Sequence, residues 1–174
     1  MRWERRIAVS VLIIILILFV RRILIVGEPS QFTISKMDAP YYVVYYASRS
    51  DVLLVPEFHE GEGDIPQLLA DLVGGPYLPE LVSPLPAGVE VLGYEQRDHI
   101  LYVNFSKQLI TEHPGGSSGE AITVYSIVNT LVGAPGVEKV QILVEGQLLD
   151  TLVGHLYIGE PLEKDHVIMG SFLI

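Results

Sequence analysis

The chain has 174 residues, no cysteine and a net charge of −10, enough for one ordinary domain beside any membrane segment and hardly for a second. Abundant aliphatic and aromatic residues, with only 18% charged, exclude a disordered chain. The missing cysteine excludes disulfides and a lipid-modified N-terminal cysteine alike.

The N-terminus reads MRWERRIAVSVLIIILILFVRRILIVG. Ile7 to Val20 carry no charge and would make about 21 Å of helix at ~1.5 Å per residue, short of the roughly 20 residues of a full span. Arginine stems at both ends reach toward the two interfaces, and no small-x-small cleavage site follows. The expectation is a transmembrane anchor over residues 1–27, in preference to a cleaved signal peptide. Arg2, Arg5 and Arg6 ahead of the span favour an inside N-terminus, which places the rest of the chain outside. Residues 1–26 hold five basic residues and one acidic, a net of +4; residues 27–174 hold six basic and twenty acidic, a net of −14. The long-range field of so acidic a body argues against nucleic acid and anionic lipid as partners.

Residues 28–40 (EPSQFTISKMDAP) show no periodicity and read as a stalk. A single domain is expected over 41–165, with 166–174 as a C-terminal tail. YYVVYY (41–46) is rich in aromatic and β-branched residues and predicts a strand. VLLV (52–55) predicts a second, stopped by Pro56. EFHEGEGD (57–64) then reads as a solvated acidic connector made flexible by Gly61 and Gly63. In IPQLLADLV, Ile65, Leu68, Leu69 and Leu72 recur with helical spacing, and Gly74, Gly75 and Pro76 end the helix. VEVLGY (89–94), a turn at 95–98 and HILYVNF (99–105) predict a hairpin. A second helix is expected from about Ser118 to Val132, with Ala121, Val124, Tyr125, Val128, Leu131 and Val132 as its apolar stripe. A strand near 138–145 follows, turning at Gly146. Together these elements predict an α+β sandwich, one mixed or antiparallel sheet with both helices on one face.

Several ordered blocks resemble the GerMN domain family of bacterial envelope proteins: LLVPE (53–57), LLADLVGGP (68–76), SPLPAGVEVLGYE (83–95), LYVNFSKQL (101–109), GSSGEAITVYSIVNTL (116–131), GVEKVQILVEGQ (136–147) and IGEPL (158–162). Each block is turn chemistry around an apolar run, so order and spacing carry the likeness. The resemblance implies a non-enzymatic domain, similar in fold to the ring-building motifs of sporulation and secretion assemblies, that works by contact with envelope or sporulation proteins and admits homo-oligomers. Members of that family are lipoproteins or membrane-anchored proteins facing outward; here a hydrophobic segment stands where the lipoprotein cysteine would be.

Glu57, His59, Glu60 and Asp64 have the composition of a metal site, but glycine-rich sequence preorganises ligands poorly. Asp64 with Gln67 reads instead as the start of the first helix, a side-chain cap followed by proline and an amide able to reach back. Such carboxylates would hold a calcium ion only weakly. Gly115-Gly116-Ser117-Ser118-Gly119 fits a nucleophile elbow, yet no strand runs into Ser117. Ser117 with Glu120 reads as a capping box for the second helix. Five scattered histidines show no metal-binding spacing. No catalytic residue, metal or cofactor is expected. The one sequence hint of a contact surface is Tyr41, Tyr42, Tyr45 and Tyr46, if their strand lies at a sheet edge; the same tyrosines would have to line a groove in an alternative ligand- or glycan-binding module. An anchored hydrolase is the remaining alternative.

Overall fold

The computed structural model describes residues 40–169. The anchor expected at 1–27 lies outside them, as does the stalk except for Pro40. Among the described residues no helix is long and apolar enough to cross a membrane.

Strands β1 (Tyr41–Ser48) and β2 (Leu54–Glu60) pair antiparallel, and β3 (Leu81–Val82) meets the far end of β1, giving a three-stranded sheet in the order β2-β1-β3. Helix α1 (Ile65–Gly74) follows β2. A second sheet, in the order β4-β5-β6-β7, is built from β4 (Val91–Arg97), β5 (Ile100–Phe105), β6 (Lys139–Val144) and β7 (Gln147–Leu148). Between β5 and β6 run a short helix, α2 (Gln108–Thr111), and the central helix α3 (Ser117–Leu131). That crossover makes the β5–β6 pair parallel, while the other pairs are antiparallel.

Two sheets therefore replace the single sheet expected. The reason lies in β1. Beyond the two-residue pairing with β3, its open side is taken by α3: the Tyr45 N–H donates to Thr130 Oγ1 at 2.9 Å, and Ser126 Oγ donates to the Tyr45 carbonyl. A helix thus stands along the rest of this side of β1, where a further strand would pair. The same bonds explain Pro56. Tyr45 is the register partner of Pro56, and because both polar groups of Tyr45 turn toward α3, that pair exchanges no ladder bond. The missing proline N–H costs nothing on this outer strand, so β2 runs on to Glu60 instead of stopping at Val55.

Helix α3 is buried on most of its surface, including Glu120, Thr123, Ser126, Asn129 and Thr130. Each of these polar residues is matched to a backbone group elsewhere. Thr123 Oγ1 donates to the Pro84 carbonyl at 2.7 Å, and Asn129 exchanges two bonds of 2.9 Å with the backbone of Asp165. A polar stripe with a spacing of three or four thus ties the surrounding loops to α3, beside an apolar stripe of Val124, Ile127, Val128 and Leu131 that fills the core between the sheets. Satisfied in this way, buried polar groups fix a unique packing without the cost of stranded donors. The chain beyond 165 also belongs to the domain: Ile168 and Met169 pack with Tyr45, Leu54 and Ile122, and the Leu54 N–H donates to the Ile168 carbonyl at 2.9 Å.

Candidate functional site

The first half of the stretch expected to be a solvated connector, Glu57 to Glu60, is strand. The β1–β2 register pairs Tyr42 with His59 and Val44 with Glu57, so alternation turns Glu57 and His59 inward with Tyr42, Val44 and Tyr46. Glu57 is 3% exposed and His59 6%. His59 Nε2 lies 3.0 Å from Glu57 Oε1, and His59 Nδ1 lies 3.4 Å from Asp71 Oδ2 of α1. The rings of Tyr42 and Tyr77 lie on His59 with centroids 5.3 and 5.1 Å away. Glu57 also accepts from the N–H groups of Tyr77 and Leu78, Tyr42 OH donates to Asp71 Oδ2, and Tyr46 OH donates to the Asp71 carbonyl at 2.7 Å. Burial, reinforced by neighbouring carboxylates, pushes both phenols above the ordinary tyrosine range, so they remain donors. The cluster locks β2, α1 and the 76–78 loop together.

It does not assemble a metal site. Glu60 is exposed and accepts from Tyr41 OH, and Asp64 turns away to cap α1, where its Oδ1 accepts from the Gln67 N–H at 2.9 Å. The Gln67 amide lies over Gly61. Among the described residues no group of three or more His, Asp or Glu side chains is placed to hold a metal ion. Nor is the connector loose: Gly63 is buried at φ 65°, and a Cβ there would fall 2.4 Å from Tyr42 Cβ, so only glycine fits.

The tyrosine contact edge is overturned. At Tyr45 strand β1 is flanked by β2 on one side and α3 on the other, and Tyr42, Tyr45 and Tyr46 are 8%, 9% and 0% exposed; Tyr41 alone reaches solvent. The capping box of Ser117 and Glu120 is likewise absent: Gly116 holds the cap position with φ 83° and no side-chain bond. A left-handed entry removes the geometry by which a serine at the next position would cap. Ser117 is exposed, and among the described residues no hydrogen bond links it to a histidine. Glu120 instead points across the domain and accepts from the N–H groups of Leu152, Val153 and His155 at 2.8, 3.0 and 2.8 Å. Full burial pushes its carboxyl upward, but these donors outweigh that and hold it below the ordinary range. Near this entry His113 Nδ1 accepts from the Gly115 N–H while Nε2 faces Thr123 Oγ1, fixing a neutral ring that burial keeps below the usual histidine range.

An open surface lies elsewhere. Besides its core residues Leu68, Leu69 and Leu72, α1 exposes Pro66, Ala70 and Val73. Leu69, Ala70 and Val73 form one wall of a groove of about 410 Å³ whose other wall is Val89, Val91 and Tyr94 at the start of β4, with Glu90 its charged member. Strand β4 is the outer strand of its sheet and almost wholly exposed. Sequence periodicity concealed this surface because the two stripes of α1 overlap at Leu69 and read as one.

The domain is thus a two-sheet α+β fold in which Glu57 and Glu120 are bound internally and an apolar groove lies beside an outer strand. The chain belongs to the Germane family, sporulation and spore germination, whose model matches residues 43–150. This GerMN-type family is not a known enzyme family. A crystal structure of a Clostridium perfringens protein provisionally described as a lipoprotein shares 25% identity, with a TM-score of 0.52 over 72% of this chain and 88% of that one. The tandem GerMN domains of the sporulation protein GerM from Bacillus subtilis match at 19% identity and TM-score 0.57, over 78% of this chain and 50% of that one. The first of those domains alone matches at 18% and 0.55, over 72% and 96%. At those identities the likeness to GerM is one of fold. No curated protein matches by sequence.

Proposed function

We propose that the protein is a membrane-anchored, outward-facing domain without catalytic activity, which joins a sporulation or germination assembly of the bacterial envelope by protein–protein contact. The observation that carries this reading is the exposed stripe of Pro66, Ala70 and Val73 beside the open strand β4, since apolar surface left unmatched on an otherwise acidic domain is characteristic of docking sites. Membership of the Germane family supports the setting. The uncharged run Ile7–Val20 behind three arginines supports the anchor and its orientation, as does the lipoprotein description of the Clostridium relative.

The test uses the full chain in living sporulating cells. A photo-cross-linking residue in place of Val73, Phe58 or Tyr77, all exposed, is expected to give a discrete adduct from at least one position, and protease added to spheroplasts is expected to digest the domain. No adduct from any position, or a domain protected from external protease, overturns the reading.

A further inference from the structure

The two sides of the α1–β4 groove ask for different things from an occupant. On one side Ala70 and Val73 offer aliphatic contact; on the other stand Val91 and Tyr94 of β4, the outer strand of its sheet, whose far edge no strand pairs with among the described residues. Resting on the interaction reading above, we propose that the groove takes an extended segment of a partner protein, which adds to the β4 edge as a strand, lays apolar side chains against Ala70 and Val73, and brings a basic side chain to Glu90.

An extended segment is required because backbone groups along a strand edge are matched by another strand; a helix set there leaves them unpaired. A register shift between Val91 and Gly93 marks a bulge, which bends the first part of the edge. Regular pairing is therefore available from Gly93 to Arg97. The basic character follows from charge. Residues 40–169 hold eighteen acidic side chains against five basic ones, and Arg97, the one cation of β4, is already bound by Glu95 at 2.6 and 2.7 Å. A second copy brings the same acidic excess and is opposed by it, whereas a segment bearing lysine or arginine is drawn in.

The probe is a fluorescein-labelled nonapeptide alternating valine and lysine, with its valine–glutamate counterpart as control. Binding to the full chain in zwitterionic detergent is followed by fluorescence anisotropy and amide hydrogen exchange. The valine–lysine peptide is expected to saturate and to protect amides of Gly93–Arg97, and the counterpart to do neither. Ala70→Trp, which fills the groove, and Glu90→Lys each weaken binding by about ten-fold or more. Glu138→Lys, in the separate pocket of Asp98, His99 and Glu160, changes it by less than about two-fold. Absence of binding overturns the proposal. So does an equal loss in Glu138→Lys, which marks unspecific charge attraction, or protection of the same amides by added unlabelled protein without peptide, which places a second copy at the edge. Failure here alongside discrete adducts at Phe58 or Tyr77 in cells removes this groove and leaves the interaction reading standing.

Discussion

Glu57 and Glu120 are both buried carboxylates held by loop N–H groups, yet the two regions handle the charge differently. Glu57 receives two backbone donors and faces His59, which also faces Asp71. Glu120 receives three backbone donors from the 152–155 loop and no ion-pair partner among the described residues. Oriented peptide dipoles alone can hold a buried anion when they converge on it. The first region spreads its charge over a network, whereas the second concentrates it in one side chain.

The largest effect is expected where nothing shares the load. Glu120→Gln keeps the shape but replaces one accepting oxygen with an NH2 aimed at backbone donors, at a cost of about 3 kcal/mol, or roughly 6–12 °C in thermal unfolding for a chain of this size. The pH dependence sharpens the contrast. The folded-state Glu120 carboxyl titrates lower than in the unfolded chain, so on acidification the unfolded state takes up its proton first. The stability it contributes is complete above the unfolded value and is lost as pH falls below about 5. The gap between wild type and Glu120→Gln should therefore narrow on the acid side in denaturant titrations. An unchanged gap at pH 3 and pH 7 would mean that the charge is not what the loop holds.

Glu57→Gln should cost less, about 1–2 kcal/mol, because the amide oxygen still accepts from Tyr77 and Leu78. What distinguishes this region is coupling. Glu57→Gln combined with Asp71→Asn should depart from additivity by at least about 0.5 kcal/mol, since both carboxylates face one imidazole, whereas Glu57→Gln combined with Glu120→Gln should be additive. Additivity in the first pair, measured by chemical unfolding, would break the network description.

The sequence made the order of elements legible because each has a strong local signature: aromatic alternation in β1, helical spacing in α1 and α3, the hairpin of β4 and β5. It did not reveal the partition into two sheets, which depends on Ser126 and Thr130 reaching the backbone of Tyr45, a contact across more than eighty positions. Buried polar residues were missed for a related reason. Glu57, His59 and Glu120 look hydrophilic in any local window, and only tertiary donors such as the Tyr77 and Val153 N–H groups make their burial affordable. In β2 a local signal did exist, since Glu57 and His59 alternate with exposed Phe58, but Pro56 obscured it by resembling a stop. The groove was hidden because helical periodicity marks apolar positions without saying which stripe of α1 meets the core.

The two helix starts give the smallest and cleanest contrast. In sequence they look alike, Asp64 with Gln67 and Ser117 with Glu120, each an oxygen-bearing side chain three residues ahead of an amide or carboxylate. In the fold only Asp64 precedes its helix in an extended conformation, at φ −67° and ψ 162°, with its carboxylate on the Gln67 N–H. At α3 that position belongs to Gly116, whose left-handed backbone leaves Ser117 already inside the helix and Glu120 free to turn toward the 152–155 loop. Asp64→Ala should therefore lower stability by about 1 kcal/mol, the usual worth of a lost cap, while Ser117→Ala should stay within about 0.5 kcal/mol of wild type. Equal losses in thermal unfolding would mean that Ser117 caps α3 in solution, and Glu120 would then have to serve both the helix start and the 152–155 loop.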